Sequence, residues 1–111
     1  MSAQLRIRES TSGRTTTLVL SGELDLAGAP ELEAAVRRLC YEPVRQLLLD
    51  LSEVSFVDTI GVRTLVTCKE LFEQTDCGYW VLPPRAGARR VLERYGLLEE
   101  IPLRDHAAPP R

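Results

Sequence analysis

One histidine, three cysteines and no long apolar run occur in 111 residues. Each shortage excludes something. His106 lies in the terminal stretch Asp105–Arg111, so neither a zinc site nor a Ser-His-Asp triad has much to build on. Cys40, Cys68 and Cys77 are odd in number and lack a paired spacing. They do not form a disulfide framework, and the expected compartment is the reducing cytoplasm. Uninterrupted apolar runs such as Leu47–Leu49 are far too short to cross a membrane. Positive charge is not in excess either. Fourteen Lys and Arg against sixteen Asp and Glu leave a net charge of -2, without the clustered cations that bind nucleic-acid backbones. No apolar core follows Met1–Arg6, so a signal peptide is not expected.

What is present is an ordinary globular composition, 44% hydrophobic and 27% charged. The length fits one domain, able to bury roughly two-thirds of its unfolded surface without metal or disulfide. No cofactor and no metal are expected.

Leu5–Glu9 reads as a short strand, Ser10–Gly13 as a turn, and Thr15–Ser21 as the partner strand of a hairpin, with Gly22–Asp25 extending or ending it. Pro30 suits the first turn of a helix. Leu32, Ala35, Val36 and Leu39 then make one apolar stripe, and Pro43 closes the element. Glu31 and Glu33 near its start and Arg37 and Arg38 near its end match the helix dipole. Gln46–Leu51 reads as a central strand and Val54–Val57 as a second short one. Thr59–Phe72 has helical length, and Tyr79–Leu82 is a strand stopped by Pro83-Pro84. Arg85–Tyr95 is a helix with Ala88, Val91, Leu92 and Tyr95 on one stripe and Gly96 as its cap. Strands alternating with helices imply right-handed crossovers, and the opening hairpin makes the sheet mixed.

The informative segment is Asp50–Phe72. A strand ends near Val57 and a helix begins near Thr59, which puts Asp58 at the N-cap, where its carboxylate accepts from free backbone N–H groups. Gly61 permits close approach of that helix to a neighbour. At 100° per residue, Gly61, Leu65, Cys68 and Phe72 form the core face, flanked by Thr64 and Leu71. Val62 and Val66 fall on the other side, bordered by Thr59 and Arg63. Two aliphatic residues beside a hydroxyl at a helix start are the pattern of a docking surface with a modifiable edge. On sequence alone they are first of all the pattern of a plain N-cap with scattered exposed valines.

Three blocks resemble the STAS domain, the anti-sigma factor antagonist family of bacteria. They are Leu18–Asp25 (ending Gly-Glu-Leu-Asp), Leu49–Val62 around Asp58-Thr59, and Arg89–Leu97. The family's usual core is Asp-Ser-Ser-Gly-Leu, so its first Ser is Thr59 here, its second is Ile60 and its Leu is Val62. The resemblance implies an α/β fold: a single STAS domain over 5–105, with a mixed sheet of four to five strands and helices packed mainly on one face. An extension over 1–4 and a disordered tail over 106–111 flank it. It also implies a partner switch in transcription regulation, of the kind used in stress response or sporulation. The unphosphorylated domain binds an anti-sigma factor and frees a sigma factor. The anti-sigma factor, a Ser/Thr kinase using ATP, phosphorylates Thr59, and a phosphatase resets it. Glu23, Asp25, Asp58, Thr59, Gly61, Val62 and Val66 would then line the docking surface of a monomer or weak dimer that is not an enzyme and has no catalytic residues.

Three other readings compete. An accessory or scaffold role in lipid transport or stress signalling keeps the fold and drops the phosphorylation. A retroviral-type aspartic protease would use Asp58-Thr59, but Ile60 separates Thr59 from Gly61 and the helical patterns disagree with a mostly β enzyme. The cysteines could sense redox state, although free cysteines are commonly buried structural groups.

Overall fold

The structure is a computed structural model that describes residues 4–84 and 86–94. Its first unit is a hairpin of β1 (Arg6–Ser12) and β2 (Thr15–Leu24), joined by Gly13-Arg14. Ser10, Thr11 and Ser12, expected in the turn, are instead paired strand residues. The Thr11 and Thr16 hydroxyls meet across the pair at 3.1 Å. Helix α1 (Ala29–Leu39) follows, with Pro30 in its first turn and Ala29, Leu32, Val36 and Leu39 buried. Then come β3 (Gln46–Val57), α2 (Thr59–Glu73), β4 (Gly78–Leu82) and α3 (Ala86–Arg94). The α3 residues anticipated at Tyr95 and Gly96, and the tail, lie outside the described residues.

The sheet order is β1-β2-β3-β4, antiparallel between the first two strands and parallel between the others. Leu18, Leu49 and Val81 sit side by side in register, fully buried under the helices. One step along, Val19, Asp50 and Leu82 point the other way and are half-buried. This is the expected α/β arrangement of a mixed four-stranded sheet with its helices on one face.

Where two strands were expected, Gln46–Leu51 and Val54–Val57, one twelve-residue strand forms. Its buried positions explain the misreading. Leu47, Leu49 and Leu51 follow the period of two, but Val54 and Val57 come at intervals of three. Each interval of three coincides with a shift of register against β2, at Val19/Ser21 and at Gly22/Glu23, where β3 carries one residue more than its partner. These are β-bulges, which let a strand keep pairing while its side-chain alternation skips. Asp50 steadies the first, accepting from the Ser52 backbone at 2.9 Å and the Ser52 hydroxyl at 2.6 Å.

Helix α2 buries Gly61, Val62, Thr64, Leu65, Cys68 and Phe72. The placement of Val62 on an exposed face is therefore corrected: it is wholly buried. A helix on one sheet needs only a narrow apolar stripe, whereas α2 packs against both the sheet and α1, so its buried arc is wider. Val66 is half-buried at the margin of this core. From β4, the buried Tyr79 hydroxyl donates to the Leu65 carbonyl of α2 at 3.0 Å.

Burial pushes the Cys68 thiol up to about 12 and raises Tyr79 well above its ordinary value. Both groups are therefore held neutral in the fold and ionise more readily in the unfolded chain. The stability that depends on the neutral thiol is complete below its ordinary value near 9 and is lost as pH rises toward 12. Urea midpoints measured across that interval are expected to fall steadily, and a flat profile would contradict a buried neutral thiol.

Candidate functional site

The candidate site lies where the parallel strands β2 and β3 end together. Leu24 is paired with Val57, and Glu23 with Phe56. The Leu24 carbonyl accepts from the Asp58 backbone N–H at 3.2 Å, so the end of β2 catches the chain just as it leaves β3. Asp58 has extended backbone and is the N-cap of α2, its Oδ1 accepting from the Gly61 N–H at 2.7 Å. Its carbonyl accepts from the Val62 N–H at 3.0 Å, the first intrahelical bond. The cap expected from sequence is thus made, by the side-chain type best suited to it.

Gly61 is held against the end of β2. A Cβ there would stand 2.2 Å from the Leu24 carbonyl oxygen, which no side chain can tolerate without moving backbone. Thr59, the first helical residue, is exposed, and so is Ile60 after it. The Thr64 hydroxyl donates to the Ile60 carbonyl at 2.8 Å, so Ile60 is used by the fold through its backbone.

Asp25 begins the next element. Its Oδ1 accepts from the Ala27 and Gly28 N–H groups at 3.1 and 3.2 Å, and its carbonyl from Gly28 and Ala29 at 3.1 and 2.8 Å. It therefore shapes the turn into α1. Glu23 is half-buried near the end of β2. Of the seven residues expected to dock a partner, Glu23, Asp25, Asp58 and Thr59 are gathered at this rim. Gly61 and Val62 lie beneath it, buried, and Val66 is one turn further along α2. Two large apolar side chains near this rim that the sequence did not single out, Leu26 and Phe56, are 69% and 46% exposed. For Phe56 the sequence carried no signal, because the bulge at Gly22/Glu23, imposed by pairing with β2, turns an apparent core residue outward. Among the described residues, no three His, Cys, Asp or Glu side chains form a metal-binding group. The Asp58 carboxylate, which a protease would need at its reacting centre, is engaged as a helix cap.

Two substitutions test this joint by denaturant unfolding. Asp58→Ala is expected to cost about 1 kcal/mol while Asp58→Asn, also a good cap, stays close to the parent. Gly61→Ala is expected to cost about 1–3 kcal/mol through overpacking against the Leu24 carbonyl. A neutral Gly61→Ala would show that the approach is looser than the geometry requires.

Comparison with known proteins agrees with this architecture. The anti-sigma-B factor antagonist of Staphylococcus aureus is 27% identical over 93 residues, covering 84% of this chain and 86% of that one. An anti-sigma factor antagonist from Mycobacterium paratuberculosis superposes with a TM-score of 0.80 at 28% identity, over 93% of this chain and 89% of the other. The unphosphorylated form of the anti-sigma factor antagonist SpoIIAA shares the fold, with a TM-score of 0.77 at 21% identity over 92% and 89% of the two chains. SpoIIAA from Bacillus also has a structure in its phosphorylated form, with a TM-score of 0.70 at 21% identity over 92% of each chain. The family model described as the STAS domain matches residues 4–108, and the chain belongs to that family.

Proposed function

We propose that this domain is an anti-sigma factor antagonist working as a partner switch, with Thr59 as its phosphorylated residue. Unmodified, it docks on an anti-sigma factor through the rim around Thr59 and so releases a sigma factor. The anti-sigma factor, acting as a Ser/Thr kinase, transfers phosphate from ATP to the Thr59 hydroxyl and separates from the product. A phosphatase removes the phosphate. The observation that carries this reading is one exposed hydroxyl on a helix start fixed by Asp58, Gly61 and Leu24. The antagonist names of the staphylococcal and mycobacterial relatives support it.

Phosphorylation adds about -1.5 to -2 charge. The N-terminus of α2 favours a negative charge, so the free domain keeps its fold. The exposed Ile60 lies next along the chain, and burying a dianion against an apolar contact is costly. The switch therefore acts by blocking an interface. The domain supplies the accepting hydroxyl, and catalysis belongs to the partner.

The test is incubation with a kinase-type anti-sigma factor and ATP, comparing the parent with Thr59→Ala and Thr59→Glu. Phosphate is expected only where Thr59 is present, and Thr59→Glu should bind the anti-sigma factor at least about tenfold more weakly, the loss that 1.4 kcal/mol produces. Labelling of Thr59→Ala, or equal binding by all three proteins, overturns the assignment. Binding without any labelling favours the accessory or scaffold role.

A further inference from the structure

Among the described residues, four large apolar side chains are exposed: Leu26, Tyr41, Phe56 and Ile60. Tyr41 lies past the C-terminus of α1. The other three come from the segments that the Leu24–Asp58 hydrogen bond brings together. Leu26 lies two residues beyond the end of β2, Phe56 pairs with Glu23 beside the end of β3, and Ile60 is the second residue of α2. They frame the segment that carries Thr59.

Ile60 stands where the usual family motif has a serine. Its side chain belongs neither to the buried core cluster nor to the partly buried residues packed against it. The inward positions of the first turn are Gly61 and Val62, and Thr64 bonds only the Ile60 carbonyl. Its side chain is 39% exposed beside the hydroxyl proposed as the phosphoacceptor. A branched apolar side chain at that point lies outside the core cluster and presents apolar surface to a contact.

Resting on the reading of Thr59 as the docking hydroxyl, we infer that Ile60 is the specificity determinant of this interface. It inserts into an apolar socket on the anti-sigma factor, with Leu26 and Phe56 packing at the edge. Selectivity follows from two unequal costs. A socket built to hydrogen-bond a serine hydroxyl is left with an unpaired buried polar group when it meets Ile60. An apolar socket gains the burial of a whole aliphatic side chain. The chain therefore selects, among kinase-type anti-sigma factors, one whose socket is lined by apolar groups, and rejects those built for the serine motif.

The experiment titrates the parent, Ile60→Ser, Ile60→Val and Phe56→Ser against each kinase-type anti-sigma factor of the source organism, purified singly, and records the thermal midpoint of every variant. Ile60→Ser is expected to lose about tenfold or more in affinity for the factor that the parent prefers. Its loss toward the other factors should be smaller, or a gain. Ile60→Val should stay within about threefold of the parent because most of the buried area remains, Phe56→Ser should weaken the same complex, and the midpoints should not move. Parent-like binding by Ile60→Ser, or an equal loss toward every factor, overturns the inference while leaving the Thr59 reading intact. A lowered midpoint for Ile60→Ser would assign the side chain to the fold and also overturn it. If the parent binds no anti-sigma factor, both readings fall together.

Discussion

The candidate site depends on one carbonyl. Leu24 O accepts the Asp58 N–H and leaves no room for a side chain at Gly61. One oxygen thus fixes the end of β2, the exit of β3 and the first turn of α2. Within that joint Asp58 has extended backbone, its carboxylate reaches the Gly61 N–H, and Thr59 becomes the first helical residue. Asp25, directly after Leu24, uses its side chain and carbonyl to start α1. The two helix entries are therefore set from adjacent residues. Packing behind them is continuous, since Leu24, Val57, Val62 and Leu65 belong to one buried cluster.

Magnitudes decide what a phosphate on Thr59 does in the proposed switch. At a helix N-terminus an added negative charge is favourable by about 0.3–1 kcal/mol, reaching about 2 kcal/mol when partly buried. Removing an ion from water into an unpaired interface costs several kcal/mol. The first effect applies to the free domain and the second to the complex. The second is larger, so in the proposed switch the same group that the free domain tolerates separates the partners. In that proposal the exposed apolar side chains Leu26, Phe56 and Ile60 strengthen the contrast, because they carry no charge to offset the dianion.

Much of this site was legible in the sequence, and the residues that misled share a cause. Asp58 before a helical run announces a cap, and a glycine two residues into that run announces close approach; both follow from backbone chemistry that hardly depends on the rest of the fold. Pro30 and the Leu32–Val36–Leu39 stripe are local in the same sense. Val62 was misplaced because a helical wheel assumes one packing partner and α2 has two. The unity of β3 was hidden because its pattern of burial obeys β2, through register shifts that only the paired strand imposes. Phe56 belongs to the same class: an aromatic in a strand reads as core until a bulge turns it outward.

The two bulges in β3 make the stretch from Leu51 to Asp58 a ruler of fixed length. Leu51, Val54 and Val57 meet the core at intervals of three, and Phe56, two residues after the buried Val54, is turned outward by the second extra residue. Losing or gaining one residue there would exchange inside for outside along the rim. Replacing a side chain would not. Changes that keep this joint intact are therefore substitutions at exposed positions such as Phe56 and Ile60, with the chain length from Leu51 to Asp58 held constant.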